Sequence, residues 1–291
     1  AMTAATLNDP DNKQLMSEAY QDTQKDLSKA QDKSAKDSFS DYQTNLKNYT
    51  YRLTYGFSPI GDTTKPMVVP KGAEVLLATR LPYLNATQRR EVLYTTGLPS
   101  GYPMTDDTEG WGRLNLFKAA NGFGEFLSDT TVNMDAKKGG FNAADTWKNN
   151  ISGKGGLIKE GTGSLSLLGD NSFKGGTTIK AGTLVAENDH ALGDGSLNLA
   201  GGQLTLSNKN VVVKGSYTQG SQATLKLSAN SKLSVSGHAK LGGKVVVKNA
   251  KGLKSGVVIL KSSKLSGKFA HHSLPKGWHL TYTKHNVKLV K

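Results

Sequence analysis

Residues 161–186 read GTGSLSLLGDNSFKGGTTIKAGTLVA. Apolar and polar residues alternate in short runs that break at Gly, Asn and Asp, the grammar of half-buried strands joined by tight turns. The pattern then starts again. Apolar pairs two residues apart recur at Leu165/Leu167, Leu184/Ala186, Leu204/Leu206, Leu225/Leu227 and Val245/Val247, and Leu265 continues the series, with spacings of 19, 20, 21, 20 and 20. Between these pairs, further strands are expected at Ile179, Leu197, residues 211–213, Leu233/Val235 and residues 257–260. A period near 20 built from two or three short strands is the signature of a parallel β-solenoid. One coil cannot bury its apolar face alone, so coils stack into a continuous core. Leu165, Leu167, Ile179 and Leu184 are the expected inward residues, and about six to eight coils are expected. A β-sandwich of hairpins is the competing fold, but it does not require a constant register. The closing HLTYTKHNVKLVK, from His279, alternates around a Lys-His-Asn turn and is expected to form a hairpin that caps the open edge of the stack.

Ahead of the repeats the period is that of helices. Asn8-Asp9-Pro10 is a good helix start, followed by strong helix formers to about Gln31, and Phe39, Tyr42, Leu46, Tyr49 and Leu53 form the apolar stripe of a second helix. Short helices are expected over residues 71–80, 85–96 (with Asn85 as cap) and 112–121. The chain is therefore expected to be mainly β. A small α-helical region over residues 1–125 would precede a Lys-rich solenoid over residues 126–291. There is no cysteine, which excludes disulfides, thiolate metal sites and a cysteine nucleophile. No apolar run is long enough to span a membrane as a helix. The first residues lack a basic-then-apolar leader, so any signal peptide is expected to lie outside this chain.

Two resemblances follow from the motifs. GGLIKEGTGSLSLLGDNSFKGGTTIKAGTLVAENDHALGDG resembles the autotransporter-type passenger-associated repeat, G-L-x-K-x-G-x-G-x-L-x-L-x-G-x-N-x-Y/F-x-G-G-T, with nearly every fixed position present between Gly156 and Leu184. That resemblance implies a right-handed β-helix that is secreted and associated with the bacterial cell surface. The segments RLTYGFSPIG, GAEVLLATRLPYLNATQRREVLYTTGLPSGYP and DDTEGWGRLNLFKAANGFGEF resemble the region after the catalytic core of secreted acid phosphatases of the type 2 phosphatidic acid phosphatase superfamily. The activity itself is not implied. The phosphate-pocket motifs of that superfamily are missing, Tyr102 stands where Pro99-Ser100-Gly101 should be followed by His, and all six histidines lie in the repeats. The chain is expected to begin downstream of such a catalytic part.

Charge separates the two regions. Up to Thr130 there are 14 Lys and Arg against 16 acids, while from Thr131 onward 23 Lys face 7 acids. From Gly195 to the end, 97 residues hold 16 Lys and no acid. Lysines on a solenoid keep its surface wet, but a surface selected for solubility alone would mix signs; a one-signed surface repels itself and attracts polyanions. The expected anion-binding residues are Lys226, Lys232, Lys240, Lys244, Lys248, Lys251, Lys254, Lys261, Lys264, Lys268, Lys276, Lys284 and Lys288. His238, His271, His272, His279 and His285 are expected to add charge in acid. The expected partners are teichoic acid, envelope phosphate or host acidic glycans. Specific nucleic-acid recognition is disfavoured, because this half has no Arg and few aromatics. No catalytic residue, metal site or cofactor is expected: a Ser-His-acid triad needs a carboxylate, and none follows Asp194. The adjacent side chains of His271 and His272 point to opposite faces of a strand. Glu187, Asp189 and Asp194 fit polar turns better than a calcium site, and the glycines turn corners without holding phosphate.

Overall fold

A computed structural model describes residues 69–97, 114–207, 209–228, 230–249 and 252–291. The helices expected over residues 8–31 and 38–53 lie outside the described residues. The chain falls into two compact units that divide after Ala120.

In the first unit, Gly72 at φ 83° leads into a 3₁₀ turn over Ala73–Leu77, shorter than the helix expected there. Helix α1 (Ala86–Thr96) starts at a reciprocal cap. Asn85 Oδ1 accepts from Gln88 N at 2.8 Å while Gln88 Oε1 accepts from Asn85 N at 3.0 Å, satisfying two otherwise orphaned donors. Leu77, Leu81, Leu84, Val92 and Leu93 are buried. Arg90 ties the turn to α1 by pairing with Glu74 at 2.9 Å. The expected third helix is reduced to α2 (Leu116–Ala119), because the Asn115 side chain caps Lys118 N and sets the helix start at Leu116.

The second unit is the solenoid. Its first coils contribute two strands each: β1 (Thr130–Asn133) and β2 (Ala144–Trp147), then β3 (Leu157–Glu160) and β4 (Ser164–Leu167), then β5 (Thr177–Ile179) and β6 (Thr183–Ala186). A third strand per coil then appears: β7 (Leu197–Leu199), β8 (Gln203–Leu206) and β9 (Asn210–Val213), followed by β10 (Tyr217–Gln219), β11 (Thr224–Ser228) and β12 (Lys232–Val235). The last full coil holds β13 (His238–Lys240), β14 (Lys244–Lys248) and β15 (Val257–Lys261). Strands β16 (Lys264–Ser266) and β17 (His271–Ser273) follow, and the hairpin β18 (His279–Tyr282) and β19 (Asn286–Val290) ends the described chain. The first sheet is ordered β1-β3-β5-β7-β10-β13-β16 and the second β2-β4-β6-β8-β11-β14-β17, both parallel throughout. The third sheet stacks β9, β12 and β15, and β19 closes it in the antiparallel sense with β18 outermost. The solenoid and its terminal hairpin agree with the sequence expectation.

The apolar pairs stack as their spacing requires. Leu165, Leu184, Leu204, Leu225 and Val245 form one column of the second sheet, all fully buried. Leu265 does not extend it. It lies in β16 beside Ala239, and the residue under Val245 is His272. The long connection between β14 and β15 makes the last coil longer, so a count of 20 lands on the wrong sheet. The same column begins at Asp145, opposite Leu165, so five apolar residues are bracketed by an ionisable one at each end, as terminal coils of a stack require. Towards the N-terminal end an aromatic cluster fills the core: Phe123 lies 5.2 Å from Phe126 and 5.5 Å from Trp147, and Phe126 lies 5.0 Å from Phe173.

The fixed polar positions of the repeat are corner pieces. Buried Asn171 accepts from Ile151 N at 2.8 Å and donates to Ala191 O at 2.7 Å, bridging the coils on either side of it. Lys159 is fully buried, and its Nζ donates to the carbonyls of Glu160 (2.7 Å) and Gly161 (3.1 Å) and reaches Ala181 O at 3.5 Å. Gly161 must be glycine: its φ is 72°, and a Cβ there would stand 2.2 Å from Met134 O. Three coils on, at the same rung position, Gln219 takes over the task of Lys159, donating to Ala223 O and Lys244 O while accepting from the buried Tyr217 hydroxyl at 2.6 Å.

Candidate anion-binding surface

Outward residues on a stacked strand stand about 4.8 Å above their counterparts in the next coil, so charge placement is set by register. In the early coils that register pairs opposite signs one coil apart. Glu160 meets Lys180 at 2.9 Å, Asp170 meets His190 at 2.9 Å, and Asp194 lies between Lys174 and Lys214. Hydrogen bonds from Lys174 and then Lys214 hold the Asp194 carboxyl below its ordinary value. Among the described residues the ion pairs of the solenoid end there. Pairing needs an acid one coil away, and no acid follows Asp194.

The expected anion-binding lysines are distributed around the solenoid and do not gather on one face. Lys240 and Lys264 stand on the first sheet, with Lys268 just after it. Lys226, Lys244 and Lys248 are on the second, and Lys232, Lys261 and Lys288 on the third. Lys254 is exposed between β14 and β15, Lys276 is exposed in the turn before the hairpin, and Lys284 is exposed at the hairpin tip. Lys251 lies outside the described residues. The result is a collar around the last coils, because outward positions on all three sheets follow the same two-residue period. Lys268 also stands 5.4 Å over the Tyr282 ring.

Within the collar no lysine stacks on another. Lys226 faces Thr205 and Val246, Lys240 faces Thr218 and Ser266, Lys248 faces Ser228, and Lys261 faces Ser234 and Asn286. Like charges directly opposite on neighbouring strands are destabilising; the hydroxyl and amide partners separate them by two rungs. Two lysines face histidine instead, Lys264 opposite His238 and Lys244 opposite His271. His238 Nε2 lies 2.7 Å from Ser266 Oγ, and His285 Nδ1 donates to Ser263 O at 2.7 Å. His271, His272 and His279 are exposed. Among the described residues, no three His, Cys, Asp or Glu side chains are grouped to hold a metal.

The corner geometry of one coil is where the comparisons with known proteins converge. Residues 157–186 match the passenger-associated-transport-repeat. The match begins two residues before buried Lys159 and contains Asn171 and both flanking strand pairs. Over 213 residues, 64% of this chain, the sequence is 32% identical to the Neisserial autotransporter lipoprotein NalP of Neisseria meningitidis serogroup B, covering 19% of that protein. It is 31% identical over 163 residues to an extracellular serine protease of Serratia marcescens, with 44% of this chain and 16% of that protein covered. A 55-residue stretch is 46% identical to the adhesin BmaC autotransporter of Brucella suis, covering 19% of this chain and 2% of the adhesin. The chain thus spans about a fifth or less of the length of these curated relatives. It carries an autotransporter passenger repeat, and the secreted, surface-exposed bacterial localisation expected from the sequence agrees with it.

The buried roles of Lys159 and Gln219 escaped the reading of the sequence, which treated every lysine as outward. The signal for Lys159 was present: it occupies the one fixed cationic position of the repeat motif, preceding two glycines.

Proposed function

We propose that this chain is a non-catalytic β-solenoid module of a secreted bacterial surface protein, and that the lysine collar of its last coils binds or anchors it to anionic polymers: teichoic acid, envelope phosphate or host acidic glycans. The observation that carries the reading is the change of sign along one continuous stack. The early coils neutralise each lysine with an acid one coil away, and the last coils keep the lysines and drop the acids. A single exposed charge pair is weak, but a collar engages many phosphates or sulfates at once, and the attachment weakens as salt screens it. Protonation of His238 and His271, each beside a lysine of the next coil, adds to the positive field in acid. The protease and adhesin activities belong to the relatives; the stretch matched here accounts for a scaffold, and its later coils contain no carboxylate for a triad.

The test is retention on teichoic acid or on whole cells, titrated with NaCl and pH. Elution by about 0.5 M salt and tighter retention in acid are expected, and retention indifferent to salt excludes the charge mechanism. A second reading makes the chain the accessory C-terminal part of a secreted acid phosphatase. It rests on the three segments quoted for that resemblance, part of which lie outside the described residues. Sequence upstream of Ala1 containing the three phosphate-pocket motifs would establish it.

A further inference from the structure

The outer surface of the solenoid carries two shallow grooves of similar size. One, of about 340 Å³, runs along the first sheet past Thr178, Asn198 and Thr218, and no charged residue lines it. The other, of about 390 Å³, crosses the third sheet and the corner beyond it, and is lined by Lys232, Ser234, Ser236, Lys261, Ser262 and Ser263. Both are polar. Only the second is cationic.

Register builds the cationic groove. Ser234 of β12 pairs with Lys261 of β15, and Lys232 stands two residues before Ser234 on the same outward face. The two lysines are therefore diagonal neighbours, their Cα atoms about 8 Å apart, with the Ser234 hydroxyl between them. The corner is held by backbone: Ser262 N donates to His285 O at 2.8 Å, Ser263 N to Gly237 O at 3.2 Å and Ser236 N to Val213 O at 2.8 Å. Ser262 is 4% exposed, and its Oγ has no hydrogen-bond partner. A buried hydroxyl without a partner costs stability. Alanine would avoid that cost, so a serine retained beside two ammonium groups points to an acceptor that arrives from outside.

We propose that this groove is the subsite for a single tetrahedral oxyanion, a phosphate or sulfate ester, carried by a polymer. The inference rests on the polyanion reading above and deepens it, naming where on the collar one ester group is recognised in addition to being attracted. Lys232 and Lys261 neutralise the oxyanion from two sides, and the hydroxyls of Ser234, Ser236, Ser262 and Ser263 donate to its oxygens. No lining carboxylate opposes it. A tetrahedral group with three or four acceptor oxygens can use several donors at once; a neutral sugar hydroxyl cannot, and it gains nothing from the two charges.

The experiment compares four purified full-length proteins by fluorescence anisotropy: wild type, K232Q/K261Q, K226Q/K248Q and S262A. The K226Q/K248Q variant removes the same charge from the second sheet, where no cationic groove lies. S262A changes no charge, and it keeps the test open if the first pair fails to fold by far-UV circular dichroism. Labelled polyphosphate is the probe in one arm and labelled dextran sulfate of matched charge in the other. The larger effect identifies the ester preferred. Binding weakened about tenfold or more by K232Q/K261Q, about threefold by S262A and no more than about threefold by K226Q/K248Q is expected in the preferred arm. Equal losses from the two lysine pairs, with S262A binding like wild type, overturn the groove and leave the collar standing. Failure of the wild type to bind either polymer at low salt overturns both.

Discussion

Lys159 condenses the logic of the fold into one side chain. Its Nζ sits on corner carbonyls inside the stack, and desolvation lowers its pKa from its ordinary value near 10.5 to about 8. Below about pH 8 the folded and unfolded chains both hold the proton, so the cost of burying the charge is constant. Between about 8 and 10.5 the unfolded chain keeps the proton while the folded one releases it, so folding becomes more favourable as pH rises, by up to about 3 kcal/mol. Lys159→Met removes this titration and leaves the carbonyls of Glu160 and Gly161 without their donor. Urea midpoints at pH 7.5 and pH 10 should show the stability gap between the wild type and Lys159→Met widening in favour of the wild type at the higher pH. A gap unchanged by pH would mean that the ammonium is as well hydrated folded as unfolded.

At the scale of elements, the hairpin β18–β19 is the device that finishes the third sheet. Val287 and Leu289 are fully buried, and β19 pairs with β15 across an irregularity between Val258 and Leu260. Replacing both with Asn places polar groups in the core and releases the β15 edge. A fall in melting temperature of about 10 °C and concentration-dependent light scattering are expected, whereas a monodisperse protein with an unchanged melting temperature would mean that the hairpin is ornamental. This hairpin was legible in the sequence because it alternates around a polar turn, and the stacked column from Leu165 to Val245 was legible because its corners have constant length. What was not legible follows from corners that vary. Leu265 fell on another sheet after the long β14–β15 connection, and Ser234 and Lys261 became neighbours at a separation of 27 residues. Phe123 and Phe126 belong to no period-two run, so their place in the core was invisible until Trp147 and Phe173 were seen against them. The lysines looked like one row because outward positions on three sheets share one period.

For the whole molecule, the collar sets folding and binding against each other. Sixteen lysines in 97 residues without an acid repel one another in the folded state, since the stack brings coils within about 5 Å. Salt screens that repulsion as it screens attraction to a polyanion. Raising NaCl from about 0.02 to 0.5 M should therefore lift the melting temperature by a few degrees while releasing the protein from a polyanion resin. Calorimetry and retention, run on the same samples, should move in opposite directions. A melting temperature that falls with salt would mean that the collar is compensated by contacts with acids elsewhere in the chain.

The constant increment of the early coils also makes them interchangeable. Leu157, Thr177, Leu197 and Tyr217 follow one another at intervals of 20 in the first sheet. Excising residues 177–196 would seat Leu197 on Leu157 with each strand still meeting a strand of the same face. The loss would be in the wiring of charge, because Asp194 leaves with that coil and Lys174 comes to face Lys214. Length in such a protein can be edited one coil at a time, and the ionic ladder records which coils can be cut without penalty.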